Sequence, residues 1–185
     1  MAKQSPLISK RYRDMNALLH AQSDTYGTSG HKWGNQCADL AMKLKATDVL
    51  DYGCGKGTFT EAFERAWEKV APDVKTPKVW YYDPALPGIH HQPAPRDLVV
   101  CTDVLEHIEP ECLDAVLDDL KRVTKMVCFA VIATRPAKKM LSDGRNAHLI
   151  IQTHEWWHSE LRKRFGMILS TVNAEKGEYV VELYP

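Results

Sequence analysis

The sequence predicts an α/β protein in which helices cover both faces of an open, mostly parallel, seven-stranded sheet. Apolar runs typical of strands alternate along the chain with segments whose apolar residues recur at helical spacing. The run at 127–133 is apolar throughout, which is typical of a strand buried on both faces. Two final strands, separated by a short polar connection, indicate an antiparallel hairpin at the C-terminus. We expect one domain spanning residues 1–185.

The composition indicates a soluble globular protein. Its 24 basic and 24 acidic residues give a formal net charge of zero, which argues against a protein governed by non-specific attraction to nucleic acid or anionic membranes. No apolar run approaches the roughly 18 residues that a membrane span needs, and the N-terminus lacks a signal-peptide core. The five cysteines form no C-x-x-C pair, so reduced thiols and a cytoplasmic location are expected.

The N-terminal region, residues 1–46, is expected to provide two helices and a lid. Ser5 and Pro6 suit a helix start, which predicts a helix over 6–22. A second helix is predicted over about 35–46. The intervening segment is rich in glycine, hydroxyl and aromatic side chains, which suits either a loop folded over a ligand or a plain connection.

The remaining elements follow from apolar spacing. Strands are predicted at 48–52, 79–82, 97–101, 127–133, 167–172 and 178–184, with a short edge strand near Ile89. Helices are predicted at 59–70, 111–125 and 153–165. Residues 134–152 lack periodicity, and a loop of this length inside a compact domain usually has a function.

The strongest functional signal is the segment in which the first strand leads through a glycine turn into a helix. Gly53, Gly55 and Gly57 follow the strand that contains Asp51, and a helical pattern begins immediately after them. Glycine allows a sharp turn and close approach of a ligand to the backbone, and the helix start offers free N–H groups. This combination indicates a nucleotide-type ligand at the carboxyl end of a strand.

Two familiar phosphate-binding motifs fit this turn poorly. A P-loop requires G-x-x-x-x-G-K-[ST], but Leu50 stands at the leading glycine position and Lys56 lies between two glycines. A dinucleotide fingerprint requires G-x-G-x-x-G, and Thr58 occupies its third glycine position. The P-loop is therefore excluded and the dinucleotide site is disfavoured.

The pattern D-x-G-C-G-x-G-x-F at 51–59 resembles motif I of class I, Rossmann-like, S-adenosylmethionine-dependent methyltransferases. The resemblance runs from about residue 48 to the end of the chain. Asp83 matches the family's ribose-binding acid after the second strand, and the D-V-L-E-H-I segment at 103–108 matches one that follows the family's fourth strand. The resemblance implies an S-adenosylmethionine-dependent enzyme in which Asp51 attracts the cofactor's ammonium group. The implied cofactor-binding residues are Asp51, Gly53, Cys54, Gly55, Gly57, Asp83, Thr102 and Asp103.

An acid–histidine constellation supplies the candidate catalytic residues. Asp103, Glu106 and His107, with His148 after the next buried strand, are expected beside the ligand crevice. They resemble the E-x-x-E-H…H metal site of small-RNA 2′-O-methyltransferases and some ubiquinone-pathway O-methyltransferases, with aspartate replacing the first glutamate. That resemblance implies a divalent ion on these four residues, and the mixed ligands suit Mn²⁺, Fe²⁺ or Zn²⁺ better than Mg²⁺. Two alternatives stay open: a histidine acts as general base without metal, or Glu106 and His107 only brace the following helix.

The acceptor is predicted less sharply than the methyl donor. The chain has no Pro-Cys pair, and residues 101–104 do not match the N/D-P-P-Y/F segment of base amino-methyltransferases. The loop cations suit a phosphate or carboxylate on the substrate; they are Arg135, Lys138, Lys139 and Arg145.

The leading prediction is methyl transfer to an oxygen or nitrogen of a small molecule, with 26–33 and 134–150 as the substrate lid. The loop cations leave two alternatives open, an anionic substrate or charges that are simply solvated. Metal-assisted 2′-O-methylation of an RNA or nucleotide ribose is the first alternative. A non-catalytic, cofactor-binding, methyltransferase-like subunit is the second.

Overall fold

The computed structural model describes residues 6–185 and contains one mixed sheet. Its strands are β1 (Asp48–Tyr52), β2 (Lys78–Tyr82), β3 (Arg96–Thr102), β4 (Thr124–Ala133), β5 (Met167–Asn173) and β6 (Glu178–Tyr184). The strand order is β2-β1-β3-β4-β6-β5. The pairs among β1 to β4 are parallel, whereas β6 runs antiparallel to both of its neighbours. The predicted α/β class and closing hairpin are confirmed.

The prediction of seven strands is wrong, because the six-stranded sheet has no strand near Ile89. This segment is rich in proline, which cannot donate to a strand ladder. Asp83 instead folds it into turns: its N–H donates to the Ile89 carbonyl at 3.0 Å, and its carboxylate accepts from the Ala85 N–H at 2.9 Å. The D-V-L-E-H-I segment therefore follows the third strand of the chain, and His148 follows the fourth.

Five α-helices accompany the sheet in the described part of the chain. They are α1 (Lys10–Gln22), α2 (Gly34–Leu44), α3 (Thr58–Val70), α4 (Leu113–Val123) and α5 (His154–Arg162). The predicted start of the first helix at residue 6 is wrong, because Ser9 is the N-cap and its hydroxyl accepts from the Tyr12 N–H at 3.1 Å. Ser5, the expected cap, lies outside the described residues. None of the described helices is long and apolar enough to cross a membrane.

Helices cover both faces of the sheet, as predicted. Because side chains alternate along a strand, Leu50 and Val99 pack with α4 and α5, whereas Val49 and Val100 pack with α2 and α3. Trp157 of α5 is fully buried in the first of these two cores. The parallel strands are therefore fixed between two apolar layers, which holds their carboxyl ends at one edge.

The N-terminal helix lies over that edge. Tyr12 of α1 packs with Leu141 and Ala147 of the long loop that follows β4. The buried Glu109 carboxylate accepts from the Ser9 N–H at 2.8 Å and from the Ser9 hydroxyl at 2.7 Å. These contacts fix α1 above the carboxyl ends of β3 and β4.

Candidate active site

A cavity opens where the strand order reverses, at the carboxyl end of β1. The neighbours of β1 are β2 on one side and β3 on the other, and open α/β sheets bind ligands at such a switch point. The cavity has a volume of about 300 Å³. Its walls come from the strand ends, from α1 with the N-terminal loop (residues 23–33), and from the 134–150 loop.

The glycine turn is shaped by close packing at two positions. Gly53 has a φ of 77°, and a Cβ there would lie 2.4 Å from a Val104 methyl group. Gly55 has a φ of 51°, and a Cβ there would lie 2.7 Å from the Gly27 backbone. Both positions therefore need glycine for the left-handed backbone and for the missing side chain.

The N-terminal loop lies directly against this turn. The Lys56 N–H donates to the Gly27 carbonyl at 2.8 Å, and the Lys56 ammonium donates to the Ser23 carbonyl at 2.7 Å. The Tyr26 ring stands edge-on to His20 and His107, with centroids 4.6 and 5.8 Å away. The loop thus covers the cavity from the glycine turn to the acid–histidine cluster.

Two buried carboxylates lie beside the glycine turn. Asp83 accepts from the Gly55 N–H at 3.1 Å, which connects the end of β2 to the turn. Asp51 is 4% exposed, and its Oδ2 has no hydrogen-bond partner among the described residues. Burial, together with the charge of Asp83, raises the pKa of Asp51 to about 8. A buried, unpartnered carboxylate is costly, so Asp51 would gain from a cationic ligand group.

Glu106, His107 and His148 form a compact cluster. One ligand atom from each lies within 4.8 Å of the others, and the two imidazole centroids are 4.7 Å apart. Nδ1 of His107 bonds the Ala147 carbonyl at 2.8 Å, and Nδ1 of His148 bonds the Arg135 carbonyl at 2.6 Å. Since a carbonyl only accepts, each Nδ1 carries the hydrogen, and each neutral ring keeps its lone pair on Nε2.

Burial dominates the electrostatics of this cluster. Glu106 is fully buried; burial and the charge of Asp103 raise its pKa to about 8. Burial, with a contribution from the second imidazole, lowers the pKa of His107 to about 3. The Ala133 N–H donates to Oε1 of Glu106 at 3.0 Å, while Oε2 has no partner among the described residues. The cluster therefore offers the free Nε2 lone pairs of two neutral imidazoles and one buried Glu106 oxygen without a hydrogen-bond partner.

Asp103 is near the cluster but is not part of the three-residue group. It has a φ of 54°, a left-handed conformation that is uncommon outside glycine, and its N–H donates to the Val131 carbonyl at 2.9 Å. This conformation turns the chain out of β3 and into the cavity wall.

The structure places the predicted site residues in two groups. Those lining the cavity are Gly53, Gly55, Asp83, Asp103, His107 and His148. The predicted residues that do not line the cavity are Asp51, Cys54, Gly57, Thr102 and Glu106. All of these except Gly57 are buried, at the strand ends and in the turns behind the cavity wall. Of the four loop cations, Arg145 does not line the cavity and pairs with Asp143 at 2.9 Å.

The polar face of α1 is a part of the cavity wall that the sequence prediction missed. Tyr12, Asn16 and His20 line the cavity, and the Tyr26 hydroxyl donates to the Asn16 side chain at 2.8 Å. Their four-residue spacing places them on one face of the helix, which is the available signal. That signal was hidden because the apolar residues of the same helix suggested an ordinary core-facing stripe.

Comparison with known proteins identifies the family. A family model described as a methyltransferase domain matches residues 9–175, which is most of the chain. The chain belongs to this methyltransferase family. Comparison with curated protein sequences returns no match.

Solved methyltransferase structures share its fold. One is the 1,6-didemethyltoxoflavin-N1-methyltransferase of Burkholderia thailandensis with bound S-adenosylhomocysteine: 16% identity, 97% of this chain and 91% of that chain covered, TM-score 0.58. The DhpI–SAH complex has 14% identity, 94% and 96% coverage, and a TM-score of 0.58. Magnesium protoporphyrin IX methyltransferase from Synechocystis PCC 6803, with bound SAH, has 13% identity, 94% and 96% coverage, and a TM-score of 0.53.

The methyltransferase therefore has the Rossmann-like class I fold of these structures, all three of which hold S-adenosylhomocysteine. The predicted family and enzyme class are confirmed.

Proposed function

We propose that this methyltransferase transfers a methyl group to an oxygen or nitrogen of a small molecule, with a hydroxyl group favoured. The observation that carries this proposal is the cluster of Glu106, His107 and His148 at the switch point, where both histidines line the cavity and Glu106 is buried behind them. A hydroxyl is a weak nucleophile unless its proton is removed or its pKa is lowered. The unprotonated imidazole nitrogens provide for this need, and Glu106 adds a carboxylate once its carboxyl group has lost its proton.

The methyl donor we propose is S-adenosylmethionine, and this cofactor would occupy the side of the cavity next to the glycine turn. Asp83 would accept hydrogen bonds from the ribose hydroxyls, since each of its oxygens has one protein donor and a second lone pair. Asp51, buried behind the glycine turn, would attract the ammonium group, and a short approach of that group would satisfy its buried oxygen. Gly53 and Gly55 would let the backbone approach the amino-acid part of the cofactor. Cys54, Thr102 and Asp103 complete the proposed cofactor-binding set, whereas Gly57 would contribute only its backbone conformation, as the left-handed N-cap of α3.

The residues of the cluster fit a divalent cation. Oε2 of Glu106 is buried without a partner, and both imidazoles are held by carbonyls in the tautomer that ligates through Nε2. One carboxylate and two imidazoles suit Mn²⁺, Fe²⁺ or Zn²⁺. A bound ion would lower the pKa of the acceptor hydroxyl. Asp103, the fourth ligand implied by the sequence resemblance, would reach this site only after its side chain moves.

The protein's own residues orient the acceptor for methyl transfer and accept its proton. The cavity holds the acceptor so that a lone pair of its oxygen points at the methyl carbon. The new C–O bond forms as the C–S bond breaks, and the electron pair passes to sulfur. The hydroxyl proton moves to Nε2 of His148 when the cluster holds no ion, and to solvent when a bound ion occupies Nε2 and lowers the pKa of the hydroxyl. Alignment of the two reactants supplies much of the rate acceleration, and the N-terminal loop over the cavity limits access of water.

A small acceptor is favoured over RNA by the surface of the protein. The formal net charge is zero, whereas proteins that bind nucleic acid without a partner domain usually present a broad basic face. Walls formed by α1 and two loops limit the size of an acceptor that can enter the cavity. A non-catalytic role is disfavoured because the glycine turn and both carboxylates beside it are in place.

A Mn²⁺ titration followed by electron paramagnetic resonance tests the metal assignment without requiring the acceptor. We expect one site in the parent, a loss of affinity of at least tenfold in Glu106→Gln and His148→Ala, and no change in the matched control His90→Ala, which is exposed. Parent protein that binds no Mn²⁺ or Zn²⁺ would overturn the metal assignment.

Labelled methyl transfer into fractionated cell extract tests the class of reaction. We expect the label in a small molecule as a methyl ether. Label found only in RNA or protein would contradict the proposed acceptor class.

A further inference from the structure

The walls of the cavity carry an excess of positive charge that the protein as a whole does not have. Four cationic side chains line it, Lys32, Arg135, Lys138 and Lys139, against two carboxylates, Asp83 and Asp103. The whole chain has 24 basic and 24 acidic residues. The excess is therefore local, and local charge in a cleft selects the ligands that enter it.

The two signs of charge are separated within the cavity. Asp83 and Asp103 follow the ends of β2 and β3, on the cavity floor that the cofactor would occupy. The cations come from the N-terminal loop and the 134–150 loop, which form the rim. Since the methyl donor is itself cationic, the carboxylates suit the donor and the rim suits a partner of opposite charge.

Two of the four cations are already engaged by the protein. The Lys139 ammonium donates to the Ser23 hydroxyl, and Nε of Arg135 donates to the Lys176 carbonyl at 2.8 Å. The remaining two, Lys32 and Lys138, are exposed and form no ion pair within residues 6–185. Both ammonium groups therefore lie without an ion pair on separate loops that line the same cavity.

We propose that Lys32 and Lys138 form a subsite for an oxyanion, so that the methyl acceptor is a small molecule bearing a phosphate or carboxylate group. This inference rests on the proposed function and specifies its substrate class. The anionic group binds at the rim while the reacting hydroxyl reaches the Glu106–His107–His148 cluster. Lysine suits this role as a compact point charge with rotatable donors.

The test uses the full chain saturated with S-adenosylhomocysteine and measures inorganic phosphate binding by calorimetry at constant ionic strength. We expect phosphate to bind, and the Lys32→Ala/Lys138→Ala variant to lose at least tenfold in affinity. A Lys43→Ala/Lys75→Ala variant, which removes two exposed lysines outside the cavity, is expected to bind phosphate like the parent. Binding no stronger than that of chloride, or equal binding by the Lys32→Ala/Lys138→Ala variant, would overturn the proposal.

Two further measurements distinguish this proposal from RNA binding and from failure of the proposed function. A single-stranded RNA oligonucleotide that binds more tightly than phosphate, and depends on the same two lysines, would overturn the small-molecule class. Cofactor affinity and Mn²⁺ binding are expected to be unchanged in the rim variant. Failure of the subsite alone would therefore leave both of those measurements intact, whereas failure of the proposed function would appear in them.

Discussion

Replacing Gly55 or Gly57 with alanine distinguishes two reasons why the turn needs glycine: a left-handed backbone and a lack of space for a side chain. Both residues have positive φ, 51° and 68°. A Cβ at Gly55 would lie 2.7 Å from the backbone of Gly27, whereas a Cβ at Gly57 would meet only the Tyr81 ring, at 3.5 Å. Gly57→Ala is therefore a matched control, because it introduces a left-handed alanine without a steric overlap between the new Cβ and neighbouring backbone.

The expected magnitudes follow from these distances. A left-handed non-glycine residue costs about 1–2 kcal/mol, and overpacking against backbone adds about 1–3 kcal/mol. For a chain of this size, 1 kcal/mol shifts Tm by roughly 2–4 °C. Gly57→Ala is expected to lower Tm by roughly 2–8 °C and Gly55→Ala by roughly 4–20 °C.

Cofactor affinity provides the second measurement. Because Gly55→Ala displaces the N-terminal loop from the turn, we expect its Kd for S-adenosylhomocysteine to rise at least tenfold. Gly57→Ala is expected to keep its Kd within about threefold of the parent. Equal losses of Tm and of affinity in the two variants, or larger losses in Gly57→Ala, would refute the proposed packing of the loop on the turn.

Two further predictions concern buried carboxylates. Because the pKa of Asp51 is raised to about 8, binding of the cofactor's ammonium group should release a proton below that pH. The Kd should then fall up to about tenfold per pH unit towards pH 8, and Asp51→Asn should abolish this slope; an unchanged slope in that variant would exclude Asp51. In the cofactor-free protein the same group holds its proton after folding, so its contribution to stability should decline as pH rises from about 4 to about 8. Ser9→Ala should remove the α1 cap and the Glu109 contact, which costs about 1–2 kcal/mol and speeds amide hydrogen exchange in α1; unchanged exchange there would contradict the anchoring role.

The sequence predicted the architecture correctly where residues close together in the chain determine the local structure. The β1–α3 unit has a doubly buried strand, a glycine turn and an amphipathic helix, and its predicted bounds agree closely with the structure. The segment near Ile89 was misassigned, because its apolar residue resembles a short strand while the turns made by Asp83 depend on side-chain hydrogen bonds.

The candidate site was predictable in part. Sequence order placed His107 and His148 at adjacent strand ends, and the structure brings them together. The tautomers depend on carbonyls of the 134–150 loop, whose path has no sequence periodicity. The contribution of α1 depends on tertiary packing, since Tyr12 and Asn16 become site residues only when Ser9 is fixed to Glu109.

The most direct test of the assigned site is a calorimetric titration of the parent and two variants with S-adenosylhomocysteine. We expect one site in the parent. We expect an affinity at least tenfold weaker in Asp83→Asn, which keeps an acceptor oxygen for the turn but loses the charge. Asp73→Asn, an exposed control, is expected to bind like the parent. A parent that does not bind, or an Asp83→Asn variant with unchanged affinity, would contradict the assignment of the cofactor to this cavity.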